Sequence, residues 1–330
     1  MSNEIKARQR GIVESYWGSV RQDLFGTPVQ LRELVRRRPD ALLAPLFKQS
    51  VDEGDTPQWE LLAEPRVCWP QEPAGQIRMW TYDRGGERSQ KVVVEHFKDL
   101  ITETKSMVTV DIRDIECLVF SKTDLHGFAT LDDMAKHACP DWIKDVSHEN
   151  LRALLAKAPP AYTEGRLSQV DWDGRLTLIA YDGSHHFAAA RYLAGQLDVS
   201  VPMTMELSTR SINAQALDAL ENSYDAFVLL DQPAFNQALT EAFQATQVPH
   251  GRKELRLGRA LGDRTHQLIL LPRESVRAMR SASVLHDAGA LTLPWLLRAQ
   301  QLQAHDYISI REQLKSLDLG DHETEVGPRP

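Results

Sequence analysis

The residues best suited to chemistry in this sequence are five consecutive ones, Asp182-Gly183-Ser184-His185-His186. A glycine at this point lets the backbone turn tightly where a Cβ would collide, and serine is a residue type that caps helix N-termini. The amides of the first helical turn, together with the positive end of the helix dipole, would then form an anion site. The two imidazoles would add donors when protonated or bind a metal when neutral. The segment therefore predicts a site for a phosphate-bearing ligand.

The residues on either side supply the elements that must hold this turn. The apolar run 176–181 predicts a strand, and a helix is predicted over 184–193. Alanines at 188–190 would let that helix lie close to a sheet, and Gly195 is predicted as its C-terminal stop. The run 199–207 predicts the next strand.

This strand, turn and helix resemble the ParB/sulfiredoxin superfamily. Its members carry a strand, a short glycine-containing turn, a His/Arg-rich pair and a helix with small residues, followed by another strand. Residues 117–125 are similar to the first box of the family, and residues 150–157 look like the helix after that box. The resemblance covers 105–210, and it implies an α+β core that binds a nucleotide or another phosphate-bearing ligand.

The resemblance also implies roles for individual residues. The implied phosphate ligands are Gly183, Ser184, His185, His186 and Arg191, and the implied catalytic residues are Asp182, His185 and His186. Asp182 is the candidate general base for phosphoryl transfer, although an aspartate before a glycine also caps turn amides. Arg191 lies two turns along the helix, where facing solvent or a carboxylate is its alternative role.

Two positions depart from the family pattern. The family arginine that grips a phosphate is His186 here, and an imidazole is only partly charged at neutral pH. The position of the sulfiredoxin cysteine is Ser184, which excludes reduction of a sulfinic acid through a thiol nucleophile. Phosphate binding by the turn amides and His185 is compatible with both changes.

Other catalytic and metal-binding motifs do not occur in the sequence. It contains no GxxxxGK[ST], GxGxxG, GxSxG or HExxH pattern. Adjacent His185 and His186 would point in different directions on a helix, so no metal ligand is assigned. If a nucleotide binds, its phosphates are expected at the turn, with ATP or CTP and Mg²⁺ as the expected cofactors.

The most basic part of the chain is residues 251–280, which hold eight arginines and lysines against three acidic residues. Such a patch would suit a phosphate backbone, and the candidate nucleic-acid contacts are Arg252, Lys253, Arg256 and Arg259. A solvated basic face is the alternative, since no helix-turn-helix pattern accompanies the charges.

Composition bounds the remaining possibilities. The chain has 330 residues, of which 42% are hydrophobic and 25% charged, with a formal net charge of -8. These values are typical of globular proteins and argue against a disordered chain or a fibre. The sequence has no long apolar segment and no secretory signal pattern, and its three cysteines lack CxxC spacing. A cytoplasmic protein without a membrane partner is therefore expected.

The expected architecture is α+β. It places an N-terminal helical and hairpin region at 1–104, the ParB/sulfiredoxin-like core at 105–210, a C-terminal α/β region at 211–317 and a flexible acidic tail at 318–330. The hairpin is predicted from two alternating runs, 77–82 and 90–97, around a Gly-Gly turn.

Three functional hypotheses follow. The leading one is a protein that binds a nucleotide or other phosphate-bearing ligand at the turn, with NTP hydrolysis or phosphotransfer as its reaction. The alternative is a non-catalytic DNA-associated or protein-interaction module of a plasmid, phage or other mobile element. The third is a metal-dependent nuclease.

Overall fold

The structure, a computed structural model, divides the chain into two compact units. Unit 1 comprises Met1–Leu46, Gln58–Leu100 and Asn213–Leu296, and unit 2 comprises Phe47–Pro57, Ile101–Ile212 and Leu297–Pro330. The structure describes residues 28–42, 50–63, 73–83, 86–157, 165–255 and 265–320, with side chains as far as 306 and at 308. Arg256, Arg259 and most of the predicted acidic tail lie outside the described residues.

The strands of the described residues form two five-stranded sheets, and helices accompany both, so the expected α+β mixture is confirmed. In chain order the strands are β1 (Gln76–Asp83), β2 (Gly86–Val93), β3 (Ile101–Asp111), β4 (Ile115–Leu118), β5 (Arg166–Val170), β6 (Leu176–Ile179), β7 (Pro202–Ile212), β8 (Tyr224–Leu230), β9 (His250–Leu255) and β10 (His266–Pro272).

The helices include short single turns and longer amphipathic elements. In chain order they are α1 (Val29–Arg37), α2 (Glu60–Ala63), α3 (Glu95–Lys98), α4 (Leu131–Ala138), α5 (His148–Lys157), α6 (Ser184–Gln196), α7 (Ala214–Ser223), α8 (Pro233–Ala245), α9 (Val276–Asp287) and α10 (Leu293–Gly320). In the described part of the chain, no helix combines the length and the apolar character needed to cross a membrane.

Unit 1 is built on an antiparallel sheet with strand order β2-β1-β9-β10-β8. The predicted hairpin is confirmed, because β1 pairs with β2 from Gln76 opposite Val93 to Asp83 opposite Gly86. The predicted bounds of its second run, 90–97, are wrong, since β2 ends at Val93 and Glu95–Lys98 form helix α3. One face of β8 and β10 shares a core with α1, α8 and α9, in which Phe227, Ile269 and Phe243 are fully buried. Strands from the predicted 1–104 and 211–317 regions thus pair in one sheet.

Unit 2 is built on a mixed sheet with strand order β3-β7-β5-β6-β4. β4 and β6 run parallel to each other, as do β5 and β7. Helix α6 packs between the sheet and helices α4 and α5, and Phe187 and the three alanines at 188–190 are fully inaccessible to solvent. The absence of bulky side chains at these alanines lets the helix lie close to its neighbours, as the sequence predicts.

The predicted end of this helix is wrong. Helix α6 continues through Gly195 to Gln196, and the residue with a left-handed backbone after it is Asp198, at φ 50°. Aspartate tolerates this conformation better than most residues, so the chain turns without a glycine there.

Candidate functional site

The 182–186 turn joins β6 to α6 as the sequence predicts, but its cap differs. Gly183, at φ 83° and ψ 7°, is the N-cap, and Ser184 is the first helical residue rather than the cap. Gly183 has no side chain to accept a hydrogen bond from the first-turn amides. Asp182 Oδ1 accepts a hydrogen bond from the Gly183 amide at 2.8 Å. The carboxylate proposed as a general base therefore also braces the turn.

A second loop lies beside this turn, because β4 and β6 are adjacent parallel strands whose carboxyl ends meet at one sheet edge. This β4 loop consists of residues 119–124. Ser184 Oγ donates a hydrogen bond to Ser121 Oγ at 3.3 Å, and Thr123 Oγ1 lies 2.8 Å from His185 Nε2. Local sequence patterns do not indicate these two hydroxyls, since each is more than 60 residues from its partner.

Both histidines of the turn have a lowered pKa, and burial is the main cause in each case. Lys122 lowers the pKa of His185 further, and Lys157 does the same at His186, where Asp182 partly opposes it. The imidazoles are therefore neutral at pH 7, each with one donor and one acceptor nitrogen. They act at neutral pH as hydrogen-bonding groups and not as cations.

Aromatic rings surround the turn. Trp142 stacks on His186 with ring centroids 4.4 Å apart, and Phe120 stacks on Tyr181 at 5.3 Å. Tyr181 is 87% exposed and Phe120 is 44% exposed. Large exposed rings are costly to keep in water, and a stacked pair of them offers a platform for a planar ligand group. Sequence reasoning missed all three aromatic residues.

Arg191 does not have the role that the resemblance implies. Its Nε donates to the Ile115 carbonyl at 2.8 Å, its Nη2 donates to the Arg113 carbonyl at 3.0 Å, and its Nη1 binds Asp132. The guanidinium thus ties α6 to the start of β4 and to α4, which corresponds to the carboxylate alternative. We therefore remove Arg191 from the candidate phosphate ligands.

A buried acid–histidine pair supports the β4 loop. The carboxylate of Asp55 is completely buried, binds Ser50 Oγ and lies 2.8 Å from His126 Nδ1. His126 follows Thr123 by three residues, in the 3₁₀ turn Leu125–Gly127. The pair fixes the segment that presents Ser121 and Thr123. Asp55 and His126 are 71 positions apart, so sequence reasoning did not connect them.

Thiol and metal chemistry find no support in the described residues. Burial raises the pKa of Cys117 to about 12 and the pKa of Cys139 to about 11, so neither is a thiolate at neutral pH. No group of three or more His, Cys, Asp or Glu side chains within the described ranges is arranged to hold a metal ion.

The candidate nucleic-acid contacts are not arranged as an exposed basic strip where they are described. Arg252 is largely buried, donates to Thr240 Oγ1 at 2.8 Å and lies over the Trp80 and Phe243 rings. Lys253 Nζ donates to the Gln76 carbonyl at 3.1 Å. Arg256 and Arg259 lie outside the described residues.

Residues 105–307 match the model of a family of unknown function, DUF6685, and this span is more than half of the chain. Neither the curated proteins nor the solved structures contain a match.

Proposed function

The chain belongs to the DUF6685 family of unknown function, and we propose that it binds a nucleotide or another phosphate-bearing ligand at the 182–186 turn. The observation that carries the proposal is the left-handed Gly183 at the start of the 13-residue helix α6, without a side-chain cap. Such a helix start presents amides and a positive dipole end to an anion. We further propose that residues 105–210 form a ParB/sulfiredoxin-like core.

The phosphate is held mainly by neutral donors in this proposal. The first-turn amides of α6 supply backbone N–H groups, and the Ser121, Thr123 and Ser184 hydroxyls lie in the network around His185. Because His185 and His186 are neutral at pH 7, they bind phosphate oxygens as N–H donors. Lys122 and Lys157 add positive potential, as their effects on the two imidazoles indicate.

The aromatic rings favour a nucleotide over inorganic phosphate. Tyr181 directly precedes Asp182, and its exposed ring is stacked on Phe120. A nucleobase stacked on this pair would be worth about 1–3 kcal/mol per base, by analogy with other base–aromatic contacts. For hydrolysis or phosphotransfer, Asp182, His185 and His186 are the groups at the turn that can accept a proton.

The proposal is tested by calorimetric titration of the protein with ATP and with CTP, each in the presence of Mg²⁺. His185→Ala and His186→Ala are expected to weaken binding because each removes an N–H donor at the turn. Tyr181→Ala is expected to weaken nucleotide binding while leaving pyrophosphate binding at the turn unchanged. His137→Ala is the matched control, since His137 is an exposed helical histidine bound to the Asp133 carbonyl.

Unchanged affinity in both the His185→Ala and His186→Ala proteins would place the ligand elsewhere. Loss of nucleotide binding in the His137→Ala protein would show that the effect is not specific to the turn. Release of phosphate during the same titrations, lost in Asp182→Asn, would assign the hydrolytic role to Asp182.

A further inference from the structure

Unit 1 contains a basic cavity where two strands of its sheet part. The β1–β9 pairing ends at Arg78 opposite Arg252, although β1 begins at Gln76 and β9 continues to Leu255. A cavity of about 400 Å³ lies at this point. Its charged lining consists of Arg78, Lys91, Arg252, Lys253 and Glu254. Four cations thus face one carboxylate.

Three of these cations form a row across the sheet. Lys91 lies directly opposite Arg78 in the β1–β2 register, and Arg78 lies directly opposite Arg252 in the β1–β9 register. Residues paired in this way project from the same face, on strands about 4.8 Å apart. Like charges directly opposite each other repel across a sheet. The row therefore concentrates positive charge on one face of β2, β1 and β9.

Arg252 adds a second, independent observation. Its Nε and Nη2 are buried and have no hydrogen-bond partner, while Nη1 donates to Thr240 Oγ1. Burial lowers the pKa of Arg252 to about 10. A buried cation with unmet donors carries a large desolvation cost, which ring contacts with Trp80 and Phe243 offset only in part.

We propose that this cavity binds a small anion carrying two or more negative charges, of the pyrophosphate class. The charged lining has an excess of three positive charges. A ligand with only one negative charge would leave most of this excess uncompensated. The volume lies within the range of small-ligand sites. The cationic lining comes from the ends of adjacent strands, and the guanidinium of Arg252 is mostly buried, which favours a compact anion over a nucleic-acid backbone.

The test is titration of the full chain with pyrophosphate at low ionic strength, about 20 mM, where exposed cations are weakly screened. It is carried out on the His185→Ala/His186→Ala protein, so that anion binding at the 182–186 turn is weakened and contributes less to the signal. Arg78→Gln and Lys91→Gln in this background are each expected to weaken binding about tenfold, because each removes a charged donor. Both side chains are exposed, so the fold tolerates the change.

Arg88→Gln is the matched control, since Arg88 is an exposed arginine on β2 that pairs with Asp83. It removes the same charge from the same strand, and we expect pyrophosphate affinity to change less than about twofold. Hydrogen exchange is expected to slow on pyrophosphate binding in peptides that cover β1, β2 and β9.

Three results would overturn the proposal. They are no pyrophosphate binding in the His185→Ala/His186→Ala protein, equal binding by an Arg78→Gln/Lys91→Gln protein, and preferential binding of duplex DNA that depends on Arg78 and Lys91. Failure of the nucleotide titrations leaves the cavity test unaffected, because the two sites are measured in different proteins.

Discussion

The two proposed anion sites, the 182–186 turn of unit 2 and the basic cavity of unit 1, would attract an anion in physically different ways. At the turn, backbone amides, hydroxyls and neutral imidazoles surround the position where a phosphate would bind. In the cavity, lysine and arginine side chains from three adjacent strands concentrate positive charge. The first arrangement relies on directed hydrogen bonds, and the second relies on net charge.

Two arginines make the contrast sharper. Arg191 in unit 2 donates to a carboxylate and two backbone carbonyls, so its charge and its donors are matched within the fold. Arg252 in unit 1 is also largely buried, yet two of its nitrogens have no hydrogen-bond partner. A buried arginine therefore indicates a structural role when its acceptors are present and a candidate ligand site when they are missing.

The largest expected effect is a difference in stability between variants that replace Arg191 and Arg252 with methionine. Arg191→Met is expected to lower the free energy of unfolding by about 3 kcal/mol, because the Ile115 and Arg113 carbonyls and Asp132 lose their donor. Arg252→Met is expected to change it by less than about 1 kcal/mol, because an incompletely paired buried charge is replaced by an apolar group. Urea unfolding, with hydrogen exchange to locate the affected unit, measures both. Equal losses would remove the distinction between the two sites.

The next largest effect is the difference in stability between alanine variants of two glycines, Gly183 and Gly195. Gly183→Ala is expected to destabilise the protein by about 1–2 kcal/mol, because φ 83° places a Cβ in the left-handed region. Gly195→Ala is expected to stabilise it by about 0.5–1 kcal/mol, since this glycine is inside α6 and a Cβ there meets no atom within 4 Å. Thermal unfolding of the two variants gives the comparison. Destabilisation by Gly195→Ala would support a C-terminal turn at that residue.

The smallest effect concerns pH. The lowered pKa values of His185 and His186 mean that the stability they contribute is present above about pH 6.5 and is lost as the pH falls. Bound anion favours the protonated imidazoles, so sulfate affinity at the turn is expected to rise about threefold between pH 7 and pH 5. Titration of the Arg78→Gln/Lys91→Gln protein with sulfate measures this change.

The cavity should behave differently over the same interval. Its lysines and arginines are charged throughout, so sulfate affinity of the His185→Ala/His186→Ala protein is expected to stay constant between pH 7 and pH 5. The opposite result would be a sulfate affinity that is constant with pH at the turn and changes with pH at the cavity. It would show that titrating groups bind the anion at the cavity and not at the turn.

Local sequence patterns predicted those strands and helices whose contacts are mainly with residues nearby in the sequence. The β1–β2 hairpin and the β6–turn–α6 unit occur where alternation, turn residues and small helical residues indicate them. Two predicted details of the β6–turn–α6 segment were wrong, namely the N-cap at Ser184 and the helix end at Gly195. Both errors arise because several residue types satisfy a helix end, and the choice depends on backbone conformation that the sequence does not specify.

The surroundings of the turn depend on contacts across long sequence distances. Thr123 meets His185 only because β4 and β6 are parallel neighbours, and Trp142 reaches His186 from the connection between α4 and α5. In unit 1, the row of Lys91, Arg78 and Arg252 exists only because β1 lies between β2 and β9. Hydrophobic periodicity determines which residues of a strand share a face, but it does not determine which strands are neighbours.

The sequence by itself determined that a glycine-containing turn precedes a small-residue helix, because backbone sterics and helix-end hydrogen bonding are local properties. It also determined that the acidic chain contains a basic segment. Only the tertiary structure decided which charges are matched: Arg191 meets three acceptors, whereas Arg252 is buried among rings with unmet donors. The physical reason is that burial and pairing of a charge depend on which distant residues the fold brings within a few ångströms.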